Sequence, residues 1–146
     1  MALSMKEKAT LSSERSDWPQ WVSQEFKQNQ NNGCVGTTLL SEDERVRVWE
    51  IRLKPGERIG FHRHVLDYFW TAVTAGRARS HQSDGSTIES DYYAGETRHE
   101  SYGLGESKIH DLENTGKTEL MFTTVEFLDS ANKPLSVPDT VRTKAA

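Results

Sequence analysis

A single cysteine, Cys34, occurs among the 146 residues, so no disulfide can close within the chain. That usage agrees with a reducing compartment, and the ordinary role of such a thiol is a small, half-buried strand residue. No run approaches the ~20 consecutive apolar residues that a membrane-crossing helix requires. The opening Met1-Ala-Leu-Ser-Met-Lys-Glu-Lys lacks the continuous apolar stretch of a secretory signal, which leaves a cytoplasmic address as the expectation. Basic residues do not cluster and the formal charge is -4. A nucleic-acid surface needs a basic patch, so that partner class is excluded. Apolar residues are also scarce, at 34%, and part of the shortfall lies in two polar ends.

What remains is enough for one domain with a real core. Residues 1–16 are polar and aperiodic and read as a mobile arm. In Asp17-Trp18-Pro19-Gln-Trp21-Val22-Ser-Gln-Glu25-Phe26-Lys the apolar spacing is helical, with Asp17 as N-cap, Pro19 in the first turn, and Trp18, Trp21, Val22 and Phe26 facing the body. Asn29 to Gly33 is a linker. The divisions expected are an arm with a short helix over 1–32, a β domain over 33–128 and a loosely packed tail over 129–146.

Within the β domain, Gly33–Leu40 reads as a strand and Ser41–Glu44 as a polar turn. Arg45 to Leu53 alternates almost without error. Val46, Val48, Glu50 and Arg52 fall on one face, Arg47, Trp49, Ile51 and Leu53 on the other. Apolar residues occur on both faces, which a bulge or two-sided burial would explain. Lys54-Pro55-Gly56-Glu57 has the proline and glycine of a type II turn, and Asp84-Gly85 marks a hairpin. Further strands are expected at Asp67–Thr74, Thr87–Tyr93, Thr97–Tyr102, Lys108–Leu112 and Glu119–Leu128. Many short strands with regular turn signals predict an all-β sandwich or barrel.

The chemistry concentrates in Gly56-Glu-Arg-Ile-Gly-Phe-His62-Arg-His64-Val-Leu-Asp67-Tyr68. Residues i and i+2 of a strand project to one side, so His62 and His64 aim two imidazoles into one space, about 7 Å apart along the backbone. That suits two positions on one metal ion. A second segment, His110-Asp-Leu-Glu-Asn114, precedes the tight turn at Gly116.

Gly56, five residues, His62-x-His64 and Gly76, followed by His110-x3-Asn114, resembles the paired signature motifs of the cupin superfamily over roughly residues 45–127. The resemblance implies a double-stranded β-helix (a jelly-roll barrel), often a homodimer, with a divalent metal (Fe, Zn, Ni or Mn) near its axis. Carried over residue by residue, the metal ligands are His62, His64 and His110. The family's glutamate is missing: its position falls at Tyr68 or Phe69, and the nearest carboxylate, Asp67, comes one residue early. Tyr68 is in phase with the histidines and Asp67 is not.

Three readings follow: a three-histidine metal site with open positions, a site completed by Asp67 or Tyr68, or a metal-free pocket. Asp67 and Tyr68 are equally candidates for catalytic acid or base. Arg47, Arg52, Arg58 and Arg63 are candidate anchors for a substrate carboxylate, Arg63 pointing away from the histidines. His99 is a further candidate for the pocket, His81 reads as solvated, and Asn114 as a turn-fixing side chain. The function expected is a metal-dependent enzyme, dioxygenase-like if iron is bound, acting on a small polar or carboxylate-bearing molecule. The alternative is a non-catalytic small-molecule-binding module.

Overall fold

The computed structural model describes residues 17–143; the arm expected over 1–16 lies outside them. Among these residues one α-helix, α1 (Gln20–Gln28), precedes nine strands. These are β1 (Thr38–Glu42), β2 (Val46–Leu53), β3 (Arg58–His64), β4 (Tyr68–Ala72), β5 (Gly76–His81), β6 (Thr87–Tyr92), β7 (Thr97–Glu100), β8 (Lys108–Asn114) and β9 (Leu120–Phe127). They form two antiparallel sheets, one ordered β1-β2-β9-β4-β7 and the other β3-β8-β5-β6. Ile51, Leu53, Ala72, Leu120 and Phe122 from the first sheet pack with Ile59, Ala78 and Leu112 from the second, filling one end of the space between them. This is the expected all-β double-stranded β-helix with a short N-terminal helix.

The helix starts later than its sequence suggests. Pro19 occupies the N-cap position with no side-chain cap, and Trp18, as the residue before a proline, is biased away from helical geometry. Asp17 therefore cannot cap it. Val22 and Phe26 are buried with Trp18 against Phe61 and Ile109. Trp21 faces outward instead, 52% exposed, with the Arg58 guanidinium 4.9 Å from its ring centroid, a cation–π contact.

The first strand is displaced as well. Thr38–Glu42 is the paired segment, so Ser41 and Glu42 belong to the ladder rather than to a turn. Arg47 Nε donates to Glu42 Oε2 at 3.0 Å, which carries the pairing onward. In β2 the alternation resolves cleanly: Arg47, Trp49, Ile51 and Leu53 are buried. Its register with β9 runs unbroken from Val46↔Phe127 to Leu53↔Leu120. The irregularity lies on the other side, between Leu39 and Ser41 of β1.

A bulge in β3 matters more. Opposite β8, Ile59 pairs with Leu112 and His62 with His110, so two residues, Gly60 and Phe61, face only Asp111. The extra residue resets the alternation. Ile59 and His62 both turn inward, while Phe61 packs outward under α1. Side chains of α1 and of the segment after it satisfy the bulge backbone: Phe61 N–H donates to Glu25 Oε2 at 2.9 Å, and Asn29 and Asn32 Nδ2 donate to Phe61 O at 3.1 and 2.8 Å. A Cβ on Gly60 would lie 2.9 Å from Glu25 Oε2, so glycine permits the close approach.

The tail is tied down rather than loose. Thr143 N–H donates to Leu39 O at 3.0 Å, Arg142 pairs with Glu42 at 2.7 Å, and Val137 and Val141 pack on Val35, Leu39 and Trp49. Among the described residues no helix is long and apolar enough to cross a membrane.

Candidate metal centre

The bulge and the β3–β8 register bring His62, His64 and His110 together, with one ring nitrogen of each within 4.8 Å of the others. His62 Nδ1–H donates to Gly60 O at 2.8 Å, which leaves the Nε2 lone pair free. Ser80 Oγ–H donates to Asp111 O at 2.6 Å, so the serine oxygen is left to accept from Gln82 Nε2 at 2.7 Å and, at 3.5 Å, from His110 Nδ1. His110 Nε2 is thereby also a lone-pair donor. It lies 3.1 Å from His64 Nε2. Two nitrogens each ~2.1 Å from one ion, at right angles, sit ~3.0 Å apart. The His64–His110 spacing and the chemistry of three imidazole nitrogens suit a divalent cation.

Electrostatics favour neutral, ligand-ready rings. Burial holds His62 down at about 4, against weaker opposition from Gly60 O and Asp111. Burial, together with the other imidazoles and Lys108, keeps His64 and His110 well below the ordinary value.

Tyr68 stacks on His64, with ring centroids 4.2 Å apart and planes inclined by 12°. Burial, with Tyr102 and Glu100 nearby, pushes its phenol well above the ordinary range, so it remains a neutral donor. Asp67 is not brought to the histidines. Its Oδ1 accepts from Tyr102 N–H at 2.9 Å, as expected for a residue out of phase with them. His99 is exposed on β7 against Phe69, outside the pocket. Contrary to its expected solvation, His81 is held by Asp111 at 2.9 Å with 12% of its side chain exposed. Its ring meets the edge of Trp18, just ahead of α1, and lies 6.2 Å from the Phe61 ring centroid, so these side chains cover the outer end of β5. Asn114 does fix its turn: Nδ2 donates to Leu53 O and Thr118 O, and Oδ1 accepts from Gly116 N–H.

The histidines open on a cavity of about 60 Å³, also lined by Tyr68, Trp70, Tyr92, Leu112, Phe122 and Thr124. Aromatic side chains thus face a void. Trp70, Tyr92 and Phe122 meet edge-to-face along one wall.

Neither a protein-family model nor a curated protein matches the sequence. Among solved structures, a cupin domain from Bordetella pertussis Tohama I is 30% identical, covering 62% of this chain and 88% of that one, with a TM-score of 0.54. This chain is a cupin. A double-stranded β-helix protein from Klebsiella pneumoniae is 21% identical over 90% of this chain and 100% of that one (TM-score 0.52). A cupin from Methanocaldococcus jannaschii is 18% identical over 62% and 76% (TM-score 0.50). The likeness in these two cases is one of fold.

One buried acid of this cupin was not foreseen. Glu126, the cross-strand neighbour of Tyr68, is 3% exposed and accepts from Trp49 Nε1–H at 2.8 Å. Burial raises its carboxyl to about 7, although Trp49 and Arg47 pull the other way. The folded form therefore binds more protons than the unfolded one between 4.5 and about 7. Stability falls as pH rises through that window and stays low above it. Glu126→Gln keeps an acceptor for Trp49 and removes the fall, by up to ~3 kcal/mol. Thermal unfolding should find the variant matching wild type near pH 4 and exceeding it by several degrees at about pH 8. Parallel pH profiles would show that the carboxyl is not held neutral.

Proposed function

We propose that this cupin is a metal-dependent enzyme acting on a small polar, carboxylate-bearing molecule, working in the cytoplasm as a homodimer. The observation that carries this reading is the convergence of three neutral imidazoles on an aromatic cavity. His62, His64 and His110 would hold the ion as uncharged donors. A bound ion would supply Lewis acidity, or oxygen chemistry if it is iron. Around it, the Tyr68 phenol stays protonated and can donate to a substrate oxygen, while Trp70, Tyr92 and Phe122 exclude water and seat an apolar portion. Asp67 serves the chain by holding Tyr102 N–H. Homodimerisation would cover exposed sheet edges such as β7.

The rival is a binding module, favoured by Tyr68 standing where the family places a carboxylate. Protein loaded anaerobically with Fe(II), or with Zn(II), Ni(II) or Mn(II), is incubated with a panel of small carboxylates. Product formation is followed by NMR, and oxygen uptake is followed for iron. Metal-dependent conversion by wild type and none by His110→Ala is the expected outcome. Binding of panel members without conversion under any metal supports the module and removes the enzyme.

A further inference from the structure

The three histidines are not held alike. A ring that binds a metal through one nitrogen ordinarily donates its other N–H to an oxygen fixed by the fold, and that bond sets the ring's orientation. His62 has this support from Gly60 O at 2.8 Å. His110 has it more weakly from Ser80 Oγ at 3.5 Å, an oxygen itself tied to Asp111 O at 2.6 Å. His64 has none. Its Nε2 is turned to His110, and its Nδ1 is buried and meets no hydrogen-bond partner among the described residues.

What His64 has instead is an aromatic face. Tyr68 lies nearly parallel to it with centroids 4.2 Å apart, and Tyr102 lies nearly parallel to Tyr68 at 6.3 Å and 11°. His62 and His110 meet the His64 ring edge-on, each with its centroid 5.0 Å away. All three rings of the stack are buried, and the stack joins the two sheets, since His64 ends β3 and Tyr68 opens β4. Tyr102 is anchored in turn through its backbone N–H on Asp67 Oδ1.

We propose that Tyr68 is a positioning residue whose ring, stacked on His64, fixes the plane of that imidazole in place of the missing hydrogen bond. A face-to-face neighbour restrains tilting, the motion that would swing Nε2 away from the point shared with His62 and His110. The task needs the ring and not the hydroxyl, so it is separate from any contact of the phenol with a substrate. An aromatic pair contributes about two- to tenfold in an equilibrium constant beyond the area it buries. The assignment rests on the proposed reading that the three imidazoles hold an ion, but the order of the ring can be read without one.

The test compares wild type with Tyr68→Phe, Tyr68→Leu and Tyr68→Met, the last two keeping apolar bulk without a ring. Zinc affinity is measured by competition with a chromophoric chelator, and the geometry of the centre by the absorption spectrum of Co(II)-loaded protein. Ring order is measured by NMR relaxation of histidines isotopically labelled at Cε1, in EDTA-treated protein. Tyr68→Phe should match wild type throughout. Tyr68→Leu and Tyr68→Met should bind zinc about two- to tenfold more weakly and change the Co(II) spectrum. In both, His64 should lose order while His62 and His110, tied through Nδ1, keep theirs; a merely structural loosening would move all three rings together. Zinc affinity undiminished in the ringless variants, or a His64 that stays as ordered in them as in wild type, overturns the proposal. So does a His64 already disordered in wild type, or a loss in Tyr68→Phe equal to that in Tyr68→Leu. Wild type that takes up neither zinc nor cobalt, with His64 loosened only in the ringless variants, would sink the metal centre and leave the stack standing.

Discussion

His62→Ala, His64→Ala and His110→Ala each abolish stoichiometric uptake of a divalent transition metal. The loss in affinity should exceed the roughly 10–100-fold that removal of an outer-shell partner costs. Three donors are the minimum this site offers, and no other histidine, cysteine or carboxylate among the described residues joins the cluster. A two-histidine remnant would have to recruit water in a cavity walled by aromatic rings. Elemental analysis of protein purified without added metal reads the stoichiometry. Thermal unfolding with and without zinc reads the affinity, since a ligand of the folded state raises Tm with its concentration. Wild type should gain several degrees from zinc and the alanine variants none. Tyr68→Phe and Asp67→Asn sort the remaining readings. A neutral phenol stacked on His64 and a carboxylate bound to Tyr102 N–H predict that both variants keep the metal. Loss of metal in Tyr68→Phe would make the phenol a fourth ligand. Wild type purified without metal that also takes up none on addition would leave the histidines as pocket lining.

The barrel and the His62/His64 pair were legible because both depend on local rules, whereas His110 was placed beside them by the resemblance to the paired cupin motifs. Period-two alternation gives β2 its buried face, and Gly56 and Gly85 adopt the positive φ that their turns demand. The His62-x-His64 spacing states its own geometry. What could not be read depends on partners distant in sequence. Ile59-Gly-Phe-His62 looks like continuous strand, on which Ile59 would point away from the histidines. The bulge that turns Ile59 inward is held by Glu25, Asn29 and Asn32, whose proximity is a property of the fold. Glu126 sits on β9 in phase with Leu120, Phe122 and Thr124, but Met121, Val125 and Phe127 make the opposite face equally apolar. His81 and Asp111 point out of the barrel as alternation requires; that Trp18, Phe61 and the Glu25-bound Arg58, and not water, cover them has no local signal.

That cover predicts the largest loss of stability in the molecule. Asp111 is fully buried and accepts from His81 N–H at 2.6 Å and His81 Nδ1 at 2.9 Å, and from Arg58 Nη2 at 2.6 Å. Arg58 in turn forms a bidentate pair with Glu25 of α1 at 2.8 and 3.0 Å, and Glu25 also holds the bulge at Phe61. Asp111→Ala removes the carboxylate at the centre of this network and leaves Arg58 and the His81 donors facing a vacancy. Breaking a buried pair from one side costs about 3–5 kcal/mol, a fall in Tm of the order of 10 °C.

The loss should carry a pH signature. Burial raises both acids, but bonds from His81 and Arg58 outweigh it for Asp111, as those from Arg58 and Phe61 do for Glu25, so both lie below their ordinary values of 3.8 and 4.5. Their contribution is therefore complete above those values and drains away as pH falls through the lowered folded ones. Wild type should lose Tm in that acid window, and Asp111→Ala, already without the larger part, should lose less. Because the network lies behind the bulge that aims His62, zinc affinity should drop by about 10–100-fold, as for other outer-shell losses, while the stoichiometry stays intact. A variant as stable as wild type would mean that the Arg58–Glu25 pair alone anchors the helix. One that is destabilised with unchanged zinc affinity would show that the bulge holds His62 without support from the outer face.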